Sequence, residues 1–145
     1  MGDASRRIDL AGSGMMFLSA ALFGYFGFFT GWIHQSAATG QTLVFVVIFE
    51  WTLKCASIGF LTSAVLTFVQ PVAGNAVYAV TGLLTGASLL VVAVLDLVDT
   101  QHAVMSPFLI LIIGAWELFS GVGAVRSLAR RPRDRSNPYA YPGGS

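Results

Sequence analysis

Residues 42–69 read TLVFVVIFEWTLKCASIGFLTSAVLTFV. They form an apolar run interrupted by one acid, Glu50, and one base, Lys54. A run of ~20 apolar residues at ~1.5 Å rise each spans the ~30 Å hydrocarbon core of a bilayer, so this stretch is expected to be a transmembrane helix. Its two charges decide how the rest of the chain is read. A charge at the centre of a membrane helix costs ~2.5–3.5 kcal/mol on insertion scales, so each must face protein rather than lipid.

Three further runs flank this one, at about residues 10–33, 72–98 and 107–125. The chain of 145 residues is 55% hydrophobic and 10% charged, with a mean hydropathy of +0.74. Soluble domains carry ~25% charged residues, so no soluble domain fits beside the four runs. The expected fold is all-α: a polytopic membrane protein with four transmembrane helices in an up-down-up-down bundle, consecutive spans being neighbours. Residues 1–9 are expected to form a short polar segment. Residues 126–145, with five arginines followed by NPYAYPGGS, are too polar to bury themselves and are expected to be a flexible tail.

The first run exceeds the ~7–15 residues of a secretory h-region and is expected to remain as a span. Neither a myristoylation signal nor a CaaX cysteine is present. Between the second and third runs, Gln70-Pro71 is expected to break the helix and a turn through Gly74-Asn75 to lead into the next. Ser106-Pro107 reads as the N-cap and first residue of the fourth span. Neither an internal repeat nor a span unwound in its middle is evident, which counts against transporter folds built on broken helices.

Orientation follows from basic residues. Arg6, Arg7, Arg126, Arg130, Arg131, Arg133 and Arg135 flank the first and last spans, while the connections at 34–41 and 99–106 contain no Lys or Arg. Positive charge accumulates on the cytoplasmic side, so both termini are expected there.

Small residues recur at the spacing that lets helix backbones approach closely in lipid. Ala20/Gly24 and Gly27/Gly31 form small-xxx-small pairs in the first span, and Gly59, Gly82, Gly86, Gly114 and Gly121 continue the pattern. These are the expected helix-packing positions, within one chain or between copies.

The polar constellation is Glu50, Lys54 and Glu117. Counting from Thr42 puts Glu50 ~12 Å and Lys54 ~18 Å deep, and counting from Pro107 puts Glu117 ~15 Å deep. Glu50 and Lys54 share a helix face at i,i+4, so Lys54 is expected to bridge Glu50 and Glu117 and so join the second span to the fourth. Two acids and one base leave an uncompensated carboxyl, and one acid is expected to carry a proton.

A second group, Asp96, Asp99 and His102, lies at the outer end of the third span with His34 in the other outer connection. Carboxylate and imidazole together suit a divalent metal, although this spacing matches no standard site. Catalytic motifs are missing: there is no HExxH, GxSxG, phosphate loop or CxxC. Cys55 is expected to be buried beside Lys54, which argues against a reactive thiolate.

The expected function is therefore non-enzymatic: a small multi-pass membrane protein acting as a structural or accessory subunit, or a homo-oligomer, held by small-residue contacts and the Glu/Lys/Glu cluster. The alternative is proton or ion translocation through Glu50, Lys54 and Glu117. Partners are the lipid bilayer and a second copy or larger membrane complex. No cofactor and no nucleic acid are expected.

Overall fold

Four long helices make up the computed structural model, which describes residues 2–31, 43–98 and 106–130. We number them α1 (Gly2–Gly24), continued by a π-helical turn over Tyr25–Phe29, α2 (Leu43–Val69), α3 (Pro71–Val98) and α4 (Pro107–Arg130). All four are long and apolar enough to cross a membrane.

Three boundaries differ from those expected. The first helix starts at Gly2 and not near Leu10, so residues 2–9 are helical and lead into the apolar stretch Gly12–Phe29. α4 runs on to Arg130, since nothing in Arg126-Ser127-Leu128-Ala129 stops a helix. No turn forms at Gly74-Asn75. Gln70 alone separates α2 from α3: its N–H donates to Leu66 O at 2.6 Å, and its carbonyl accepts from Gly74 N–H at 2.9 Å. Pro71 occupies the first helical position, where its missing N–H leaves no bond unmade. At the other connection, Ser106 O accepts from the N–H groups of Leu109 and Ile110, which opens α4 directly at Pro107.

The helices pack in chain order, α1 with its π turn on α2, α2 on α3 and α3 on α4. Among the described residues no other pair makes more than a marginal contact. Small residues set each approach. A Cβ on Gly27 would lie 2.9 Å from Lys54 N, and Ser57 Oγ donates to Ala20 O at 2.8 Å, so Ala20, Gly24 and Gly27 belong to the α1–α2 contact. Between α2 and α3, Gly59 abuts Thr81, and Ser63 Oγ donates to Gly74 O at 2.7 Å. Between α3 and α4 the backbones meet most closely: a Cβ on Gly86 would lie 2.5 Å from Leu118 N, and one on Gly121 would lie 2.8 Å from Leu83 N. Gly82 and Gly114 complete this contact.

Gly31 is the exception among the expected packing positions. It takes φ 60°, the left-handed conformation that glycine adopts without steric penalty, and follows the end of the helix. The π turn before it was not anticipated from the sequence. Thr30 Oγ1 donates back to Phe26 O, and the rings of Tyr25 and Phe29 stack 6.3 Å apart within the widened turn.

The core joins all four helices through Ala20 and Phe23, Phe49, Leu53, Ala56 and Phe60, Leu89, Val92 and Ala93, and Ile110. Phe60 is fully buried, with Phe23 stacked on one side at 5.6 Å and Tyr78 tilted against it at 5.5 Å. Large apolar side chains such as Leu84, Phe68 and Phe119 cover the outside.

Candidate functional site

The expected trio separates into two unlike sites. Lys54 Nζ lies 2.5 Å from Glu50 Oε1, and the pair occupies the α1-facing side of α2. The ammonium also sits 5.3 Å from the Trp51 ring and 5.6 Å from the Phe28 ring, within cation–π range. Glu117, in contrast, rises from the side of α4 that packs on α3: its carbonyl oxygen would be 3.1 Å from a Cβ on Gly82. Lys54 does not bridge to Glu117 among the described residues. The expected contact does not form because α3 packs against both α2 and α4, and those two do not pack on each other.

Cys55 is exposed, on the outside of α2, where burial beside Lys54 was expected. Asp96 is buried inside the fold rather than displayed at an outer surface. His34, Asp99 and His102 lie outside the described residues, and among the described residues no group of His, Cys, Asp and Glu is placed to hold a metal.

Consecutive packing leaves α1 and α4 facing one another across a gap, and this gap is the most distinctive cavity. It encloses about 320 Å³. Met15, Leu18 and Leu22 of α1 form one wall and Leu109, Ile112 and Trp116 of α4 the other, while Phe49, Leu53 and Leu89 lie behind. Gly24 and the following Gly27 are turned to α2, and Gly114 and Gly121 of α4 to α3. Bulky side chains are left on the two facing flanks, and they hold the helices apart.

Two lining residues carry a polar oxygen in the side chain, Ser19 and Glu117. Glu117 is 4% exposed, and its Oε2 has no hydrogen-bond partner among the described residues. Tyr78 of α3 lies beside Ser120 and within electrostatic reach of it. A buried carboxyl oxygen without a donor costs ~1–3 kcal/mol, so native folds rarely keep one that has no use. Sequence reasoning found Glu117 but not the groove. Its signal is the spacing on α4, with Gly114 and Gly121 on the side packed against α3 and Ile112 and Trp116 on an exposed flank.

Length and composition of the helices define the class: an all-helical chain whose four long elements are each able to cross a membrane. Comparison with family models, curated proteins and solved structures finds no match.

Proposed function

We propose that this chain is a non-enzymatic, multi-pass accessory protein of the membrane that holds a small lipophile in the groove between its first and last spans. The spans run up-down-up-down with both termini cytoplasmic. The single-residue join at Gln70 supports the alternation of the second and third spans, and the arginines flanking the first and last spans support the direction. The absence of any catalytic motif from the sequence supports the non-enzymatic reading.

One observation carries the proposal: a laterally placed, hydrocarbon-lined groove with one buried carboxyl in its wall. At about 320 Å³ the groove has room for a small molecule, since ~150 Å³ of apolar cavity accepts benzene. Self-association through the glycine faces gains less support, because those faces are occupied within the chain. Ion translocation also gains less, because Lys54 and Glu50 lie apart from Glu117 and the groove wall between its two polar residues is hydrocarbon.

Filling the groove tests the reading. Extracted with its surrounding bilayer and examined by native mass spectrometry, the protein is expected to retain a bound lipophile. Ser19→Ala is expected to keep it, and Ser19→Phe, which places a ring in the groove, to lose most of it. If Ser19→Phe carries the same lipid complement as the parent, the groove is not a binding site.

A further inference from the structure

We infer that the lipophile held in the groove is a hydrocarbon body ending in one hydrogen-bond donor, a hydroxyl or a protonated amine, which the Glu117 carboxyl receives. This rests on the binding reading above and specifies the chemistry of the ligand. The carboxyl is nine-tenths buried or more, lines the cavity, and leaves Oε2 without a donor among the described residues. Its terminal torsion is broad and nearly two-fold, so either oxygen can turn toward an occupant at little cost.

Complementarity fixes the sign. An ionised carboxyl is acceptor-only; a neutral one keeps acceptor lone pairs and adds one O–H donor. Against the ionised form, a carboxylate or phosphate at this end of the groove would place acceptor against acceptor, and two negative charges together out of water. Fatty-acid and phospholipid headgroups therefore fit the Glu117 end less well than a donor, which either form of the carboxyl can receive. A donor relieves the unpaired oxygen instead. Ser19 is the other side-chain oxygen in the lining, and the remaining wall, including Phe23, Phe26 and Trp116, suits a chain or a ring. The 320 Å³ available is roughly twice the cavity that takes benzene, enough for a ring with a short tail or a medium alkyl chain.

Trp116 in the groove wall makes the inference measurable. The full chain carrying Trp32→Phe and Trp51→Phe, with Trp116 as the remaining indole, is placed in phosphatidylcholine nanodiscs. It is titrated with 6-bromododecan-1-ol, its methyl ether and 6-bromododecylammonium, whose bromine stays near the donor end, at matched mole fractions in the bilayer. At least one of the two donor probes is expected to quench Trp116 at about tenfold lower mole fraction than the ether, the worth of one hydrogen bond to a buried acceptor. Glu117→Leu is expected to abolish that preference. Glu117→Gln separates the two donors: its carbonyl still accepts from a hydroxyl, so an alcohol preference survives, whereas an ammonium preference is lost with the charge.

Equal quenching by all three probes in the parent protein overturns the inference, and that comparison requires no variant to fold. A preference that persists in Glu117→Leu overturns it as well. The two levels of the reading fail differently. If the probes are equal but Ser19→Phe blocks them all, the groove binds lipophiles without regard to a donor; if Ser19→Phe blocks none, the groove itself is not the site.

Discussion

Gly86→Leu is expected to prevent α3 and α4 from packing and to lower stability by at least ~3 kcal/mol, the upper range for overpacking a filled interface. A Cβ there would stand 2.5 Å from Leu118 N and 2.8 Å from Gly114 O. Both obstacles are backbone atoms, so no rotamer change makes room. Only separation of the helices does, and that forfeits the dispersion contacts along the seam. Gly123→Leu is the comparison, because nothing lies within 4 Å of a Cβ at that position; its change is expected to stay within ~0.5 kcal/mol. Unfolding in mixed micelles of rising denaturing-detergent content measures both. Equal midpoints for the two variants would mean that α3 and α4 do not meet at Gly86.

The second large effect is expected at Lys54. Lys54→Met removes the cation 2.5 Å from Glu50, whose side chain is 8% exposed, while the lysine side chain is 22% exposed. Breaking a fully buried pair costs ~3–5 kcal/mol. Partial exposure of Lys54 brings the expected loss to about 2–3 kcal/mol. Loss of the Trp51 and Phe28 contacts adds to it. Glu50→Gln combined with Lys54→Met is expected to recover most of the stability, giving a coupling above ~1 kcal/mol in a double-mutant cycle read by the same unfolding assay. Strict additivity would remove the pair from the account. Because Glu117 belongs to another site, Glu117→Gln is expected to be additive with Lys54→Met.

Number and rough extent of the helices were legible because the signal is local. Apolar runs longer than a bilayer is thick announce themselves, and Pro71 and Pro107 mark two helix starts wherever the rest of the chain lies. Glycine positions were legible for the same reason, except Gly31, whose helix ends before it. The Gly74-Asn75 turn was misread because glycine signals both a turn and a close helix contact. Which one holds depends on the partner, and here the partner is Thr67 and Ser63 of α2.

Relations between helices were harder to read. Depth along an axis can be counted from sequence, but azimuth and neighbour order cannot. The depths counted for Lys54 and Glu117 agree, but their helices do not pack together, so the expected contact does not form. The groove was illegible on still stronger grounds: it exists because α1 and α4 do not pack along their length, and no residue encodes the absence of a neighbour. What the sequence does carry is the asymmetry behind it, small residues on one flank of α4 and Ile112 and Trp116 on another.

The most direct measurement is an experimental density map of the protein in a lipid nanodisc, resolved well enough to trace side chains between α1 and α4. An elongated non-protein feature is expected between Leu18 and Leu22 on one side and Ile112 and Trp116 on the other, with one end at the Glu117 carboxyl. Direct contact of α1 with α4, closing the gap with nothing between them, would contradict it.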